Sequence, residues 1–173
     1  MNLYLRLVRL WLKTRREPVA QRLDPSRLRL RVWPTDLDLF GHMNNGRYLT
    51  LMDLGRLQIV MKSGLLRVMC KHNWYAVVAA VEIRFRRPLR LWQRYTLITE
   101  IVDWDETWFL FEQRFESADK VYARALVQAQ FRHQRERVAV VTVLESVGQQ
   151  AERAPAAGHL LERFVSNVRH AEC

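Results

Sequence analysis

The order of hydrophobic patterns along this chain predicts an α+β fold, with one antiparallel β-sheet wrapped around one long central α-helix. Three observations carry that expectation. A strand-like run at Arg27–Trp33 precedes a helix-like run at Arg47–Leu66 with a broad apolar face. Several strand-like runs then follow one another, each with an apolar side to bury. A chain of 173 residues has length for one core of this kind, and a sheet curled around the helix satisfies every apolar face at once.

The elements follow in chain order. Leu28, Leu30 and Val32 alternate with Arg27, Arg29 and Arg31, and Pro34 closes this first strand. The helix places Leu49, Met52, Leu57, Val60, Met61 and Leu65 over a wide sector, with Gly64 near its end. Tyr75–Arg86 alternates again, Arg87-Pro88 breaks it, and Gln93–Trp104 forms the next strand. Asp103–Thr107 reads as a tight turn. Trp108–Glu116 and Lys120–Arg132 read as a hairpin across Ser117-Ala118-Asp119, and Val138–Leu144 as a sixth strand. Three regions result: an amphipathic segment at 1–26, the main domain at 27–145, and a linker with a terminal helix at 146–173. Leu160, Leu161, Phe164, Val165 and Val168 share one face of that last helix.

The amphipathic segment carries Arg6, Arg9, Lys13 and Arg16 at three- and four-residue steps, on one helical face, with Leu3, Leu7, Val8, Trp11 and Leu12 elsewhere. Cations interrupt each apolar run well short of the roughly twenty residues a membrane span needs. Residues 1–17 therefore either pack on the domain or a partner subunit, the favoured reading, or lie in a membrane surface.

Composition sets further bounds. Hydrophobic residues make up 49% and charged residues 27%, which is globular rather than disordered. Cys70 and Cys173 alone do not make a disulfide framework, and a reducing, cytoplasmic location is expected. The net charge of +10 comes almost wholly from arginine, since only four of the 28 Lys and Arg residues are lysines. Such a surface suits nucleic acid, anionic lipid or a phosphate-bearing substrate, or consists of scattered solvated charges. No nucleic-acid-binding signature accompanies the charge, so no specific nucleic-acid partner is expected. His72, His133, His159 and His170 lack partners at ligand spacing, and no metal site is expected.

The chemistry concentrates in Thr35–Tyr48, TDLDLFGHMNNGRY, between the first strand and the helix. Carboxylates, an imidazole and amides beside a helix N-terminus can polarise a carbonyl and activate water. Read from residue chemistry alone, Asp38 caps a turn or serves as a base, and Asn44 is a helix N-cap. Gly41 permits a sharp bend and close approach of a ligand.

Asp36-x-Asp38-x-x-Gly41, followed by His42, Asn44, Asn45 and Tyr48, resembles the active-site segment of hotdog-fold acyl-CoA thioesterases of the 4-hydroxybenzoyl-CoA thioesterase-like group. Val81–Phe85 and Arg87-Pro88-Leu89 resemble that family's later strand and turn, so the resemblance spans residues 27–132. It implies a hotdog fold and hydrolysis of acyl-CoA or acyl-carrier-protein thioesters to free acid and thiol. Asp38 is then the catalytic carboxylate, as general base or nucleophile, with Asn45 the oxyanion donor and His42 orienting water or holding the loop. Gly41, Asn44 and Tyr48 would border the substrate, and Arg84, Arg86 and Arg87 would meet coenzyme A phosphates. No separate cofactor is implied, coenzyme A being part of the substrate. A homodimer or a dimer of dimers is implied, because family members build their sites at subunit interfaces. The alternative is an inactive hotdog module that binds acyl or lipid groups, either of them peripheral to the inner membrane surface. Asp53 reads as an ion-paired helix residue, facing Arg56 or Arg47. The helix lacks a glutamate where other hotdog thioesterases carry their acid, which leaves the reaction to Asp38.

Overall fold

Asn44 ends the motif loop and starts the central helix, because its side-chain oxygen accepts the Gly46 N–H at 2.9 Å. A computed structural model describes residues 3–15, 24–149 and 164, and in it this helix, α2, spans Asn45–Lys62. Two turns of its apolar face, at Leu51, Met52, Leu54 and Ile59, are buried. The single helix expected to Leu66 breaks at Gly64, whose φ of +77° takes the chain into the left-handed region and starts α3, Leu65–His72. A left-handed Asn73 ends α3 and turns the chain into a strand.

The remaining strands close a hotdog arrangement. α1 is Leu3–Thr14 and β1 is Ser26–Arg31; after the helices come β2 at Trp74–Phe85, β3 at Arg94–Trp104 and β4 at Phe109–Ser117, then β5 at Lys120–His133 and β6 at Glu136–Val138. All pairings are antiparallel, in the order β1-β3-β4-β5-β2, with β6 on β5. Thus β3, β4 and β5 form a meander, whereas β2 lies beyond β5 instead of beside its sequence neighbour β3. Helices α2 and α3 cross the inner face and deliver the chain to that far edge. The β3–β4 turn is held by Asp105, whose carboxylate accepts the N–H groups of Thr107 and Trp108, each at 2.7 Å. Ala118 and Asp119, with φ of 47° and 57°, make the two-residue turn between β4 and β5.

Helix and sheet approach closely at Gly55, where a Cβ would overlap Thr99 Oγ1. Gln113 ties the layers together, donating to Met52 O at 2.9 Å and to Thr99 Oγ1 at 2.8 Å. Asp53 pairs with Arg56 one turn along α2, as its spacing predicts.

Two expectations are corrected. Val138–Leu144 is not a strand: β6 stops at Val138 and α4 covers Val140–Glu145. Val140, Val143 and Leu144 are buried at helical spacing, and the Val140 N–H is taken by Glu106 O at 2.8 Å. The second concerns α1: its described cations Arg6, Arg9 and Lys13 line one cleft, as their spacing predicts, but Arg6 is turned into the domain. Arg6 is buried with Leu10 and Thr14 against the domain, while Tyr4, Leu5, Val8, Trp11 and Leu12 are exposed. Buried Asp36 draws Arg6 inward, because a buried carboxylate needs a countercharge. Arg16 lies outside the described residues, as does the expected terminal helix apart from Phe164, which is helical and buried against Leu110.

Candidate active site

The loop between β1 and α2 folds back on itself. Leu37 bridges to Met43, the Asp38 N–H donates to His42 O at 2.8 Å, and the Gly41 N–H donates to Asp38 O at 3.2 Å. Gly41 closes this turn at φ +76°, with open space where a side chain would stand. Backbone geometry, not crowding, requires the glycine.

Asp38 performs the turn-shaping job and retains the capacity for chemistry. Its Oδ1 accepts the N–H groups of Phe40 at 2.9 Å and His42 at 3.1 Å. Its Oδ2 makes no hydrogen bond among the described residues. Asp38 also lines a cleft of about 290 Å³ together with His42, Asn45, Tyr48, Phe85 and Arg86. One carboxylate oxygen is thus fixed by backbone, and its twin is left for a ligand. His42 lines the same cleft, and its link to Asp38 runs through its main-chain N–H.

The start of α2 supplies the complementary group. In its first turn the Gly46 N–H is taken by Asn44 Oδ1 and the Arg47 N–H by Asn44 O. The Asn45 N–H has no such partner among the described residues, and Asn45 borders the cleft. A free N–H at the positive end of a helix favours negative charge on a carbonyl oxygen. Tyr48 is buried edge-on to Phe85 and Phe115, and its hydroxyl accepts the Leu89 N–H at 3.4 Å. Burial raises the Tyr48 pKa against the opposing pull of that bond, so its phenol stays protonated.

Asp36 anchors the loop from beneath. It is 1% exposed, and its carboxylate meets Arg6 of α1, Arg47 of α2 and the Trp33 N–H. Its main-chain oxygen accepts the Asn44 N–H at 2.9 Å, tying the anchor to the helix cap. Asp36 shapes the turn locally through the Trp33 N–H, but its pairing with Arg6, 30 residues away, has no local signal.

Other expected residues divide. Arg86 and Arg87 line the cleft, and both their N–H groups go to Tyr122 O. Arg84 does not line it; its side chain is exposed and paired with Glu82. Asn44 caps the helix and is not on the cleft wall. Met43, Phe85 and Pro88 do line it. Phe85 was legible as an apolar member of the alternating strand and Pro88 as part of the turn that follows it, whereas Met43 carried no signal of its own. Leu39 and Phe40, at the loop tip, are 102% and 85% exposed and were not singled out by any pattern.

Comparison with known proteins places this geometry. The profile of the family described as the Thioesterase-like superfamily matches residues 32–164, from the motif loop onward. Protein THEM6 of Xenopus laevis is 38% identical over 98 residues, 57% of this chain and 47% of that protein. Protein THEM6 of Danio rerio is 36% identical over 121 residues, 68% of this chain and 60% of that protein. The chain therefore spans about half to three-fifths of the length of these relatives. Among solved structures, the probable thioesterase YbaW from Escherichia coli superposes with a TM-score of 0.65 at 23% identity, covering 70% of this chain and 95% of that one. SAV2348 from Staphylococcus aureus, solved in complex with CoA, gives a TM-score of 0.65 at 15% identity, over 77% of this chain and 90% of that one. At these identities the likeness to the solved structures is one of fold.

Proposed function

This chain belongs to the thioesterase-like superfamily, and on that premise we propose that it hydrolyses acyl-CoA, or acyl-carrier-protein, thioesters to free acid and thiol. One observation carries the reading: an unbonded carboxylate oxygen of Asp38 and an unpartnered N–H of Asn45 belong to residues of one cleft. The thioester oxygen would take the Asn45 N–H, which favours the tetrahedral intermediate. Asp38 either removes the proton from attacking water or attacks the carbonyl itself. In the first case the proton taken by Asp38 passes to the thiolate as the C–S bond breaks. In the second the thiolate leaves as an Asp38–acyl anhydride forms, and water then hydrolyses that anhydride to free acid and carboxylate, its proton going to the thiolate. His42, which lines the same cleft, is the group to orient water, and Gly41 keeps the loop in shape. Arg86 and Arg87 are the cations available to coenzyme A phosphates, with Arg84 further along β2.

The site calls for a second copy of the chain. A cleft of about 290 Å³ is at the low end of the roughly 300–1,000 Å³ typical for ligand sites. Beside it run exposed Phe85, Val81, Val78 and Tyr75 on β2, and Leu39 and Phe40 on the loop. Pairing of β2 with β2 of a second copy would complete the wall and satisfy the strand edge. A homodimer is the unit proposed, with a dimer of dimers its natural extension. We also place α1 at a membrane surface, through exposed Tyr4, Leu5, Val8, Trp11 and Leu12, with the body of the protein in the cytoplasm. No helix among the described residues is long and apolar enough to cross a membrane.

The test is release of free thiol from short, long and aromatic acyl-CoAs by wild type and Asp38→Asn. An amide oxygen can still accept the two loop N–H groups, so the loop should persist. Loss of kcat of at least about a hundredfold, with circular dichroism unchanged, is the expected result. Equal turnover in both proteins would remove Asp38 from the reaction. No turnover by folded wild type on any thioester, acyl-carrier-protein thioesters included, would overturn the enzyme reading.

A further inference from the structure

A second cleft, larger than the one at the motif, lies elsewhere. It has a volume of about 820 Å³ and lies beside β1, on the edge that has no strand partner among the described residues, between that strand and α1. Its lining shares no residue with the smaller cleft. The β1–β3 register explains its charge. Arg27, Arg29 and Arg31 stand opposite Ile98, Thr96 and Arg94, so all four arginines project from the outer face of the sheet. From the other wall come Arg9 and Lys13 of α1, with buried Arg6 at the base. Among the described residues, seven of the nine charged lining groups are cations, and one of the two acids, Glu116, is already paired with Arg114.

Arg27 and Arg29 stand two residues apart on β1, with Arg94 opposite Arg31 on β3, and Arg27, Arg29 and Arg94 make no ion pair among the described residues. Like charges side by side destabilise a sheet unless an anion joins them. Apolar side chains share the lining, among them Leu10, Leu28, Leu30, Leu54 and Ile98. Cations and apolar groups in one cleft select an anion that also carries hydrocarbon. The outer side of the same helix exposes Tyr4 at 71%, Leu5 at 57% and Trp11 at 43%, with Arg15 stacked on the Trp11 ring. Aromatic and aliphatic groups beside guanidinium groups match the boundary between headgroups and acyl chains.

We propose that the cleft between α1 and the β1–β3 face is a phosphoryl-anion site that receives the headgroup of an anionic phospholipid. This deepens the placement of α1 at a membrane surface and is independent of the thioesterase reading. The helix would lie in the interface on its apolar face while the arginines behind it hold lipid phosphate. Bidentate guanidinium–phosphate bonds would give the contact its chemistry.

The test is sedimentation with phosphatidylcholine vesicles, with and without phosphatidylglycerol, for three versions of the full chain. The first is wild type. The second carries Arg27→Glu, Arg29→Glu and Arg94→Glu. The third, with the same charge change elsewhere, carries Arg67→Glu, Arg135→Glu and Arg137→Glu. Wild type should bind only the anionic vesicles, and the cleft variant should bind at least about tenfold more weakly, with the third version near wild type. The neutral triple Arg27→Gln, Arg29→Gln and Arg94→Gln should weaken binding in the same sense, which guards against misfolding of the first variant. Equal losses in both Glu triples would reduce the effect to bulk charge and overturn the site. Wild-type affinity in the cleft variant would overturn it as well. Failure of wild type to bind any vesicle would remove the membrane placement. Calorimetry with glycerol 3-phosphate and inorganic phosphate separates the sources: saturable binding lost in the cleft variant, without vesicle binding, would keep the anion site and overturn its lipid source.

Discussion

The two edges of this sheet are built on opposite principles. The β1 edge is six residues long, places an arginine at every second position, and has α1 standing alongside. The β2 edge is twelve residues long, and Tyr75, Val78, Val81 and Phe85 are exposed along it. Short, charged edges resist pairing with another chain, and long apolar ones invite it. The difference teaches that this protein is finished on one side only. Its candidate catalytic cleft opens at the unfinished side, by Phe85 and Arg86, and its cation-lined cleft at the finished one.

The largest effect is expected where the finished edge is fastened. Arg6 and Asp36 are 2% and 1% exposed, so Arg6→Met strands a buried carboxylate. Loss of stability of about 3 kcal/mol is expected, at the low end for a broken buried pair because Arg47 and the Trp33 N–H remain. Urea unfolding should show it as a lowered midpoint with little change in slope. Adding Asp36→Asn should restore most of the loss, since the amide no longer needs a countercharge. If Arg6→Met alone unfolds like wild type, α1 is not pinned to the loop, and the contrast between the edges loses its mechanical basis.

The unfinished edge should respond differently. Val78→Asp with Val81→Asp adds charge to exposed positions, so a monomer should lose less than about 0.5 kcal/mol. A dimer formed through this strand would bury those charges, at a cost on the order of 2 kcal/mol. Analytical ultracentrifugation should then show a dissociation constant raised about 30-fold, with thioester hydrolysis falling in step with dimer content. An unchanged association state would show that β2 is not the joining edge.

How much of this was legible in sequence depends on the range of the interaction that decides each feature. The strands of the meander were legible from apolar runs and from the turn residues between them, which are local signals. The Asn44 cap, the Gly41 turn and the Asp53–Arg56 pair were legible for the same reason. The break at Gly64 was half-legible: the glycine marked an end, but nothing nearby announced α3. Val140–Glu145 reads as a strand by composition and is a helix because Glu106, far along the chain, takes its first N–H. The position of β2 beyond β5, and of Arg6 beneath Asp36, are tertiary choices that no window of sequence contains. At the candidate site, the motif announced Asp38 and Asn45, while Met43 and Pro88 joined them only when the loop met the end of β2.

The smallest effect belongs to the middle of the sheet, and it serves as the reference for both edges. On the outer face Glu100 stands opposite Glu112, a pairing of like charges that only Arg114 makes tolerable by bonding both. Burial pushes the Glu112 carboxyl up, but hydrogen bonds from Arg114 and Arg124, with their charges, outweigh it and hold the pKa below the ordinary 4.5. A depressed folded-state value means the stabilisation is present above about pH 4.5. It is lost as pH falls through the lower folded-state value. Thermal unfolding followed from pH 6 down to pH 3 should therefore decline less steeply in Glu112→Gln than in wild type. The difference should stay under about 1 kcal/mol, because Arg114 and Arg124 are themselves partly exposed to solvent. The same acid step should survive in Arg6→Met and in the Val78→Asp, Val81→Asp protein, since none of the substituted residues is bonded to this network. If either edge variant abolishes it, the edges are coupled through the strands between them and cannot be treated as independent halves of the molecule.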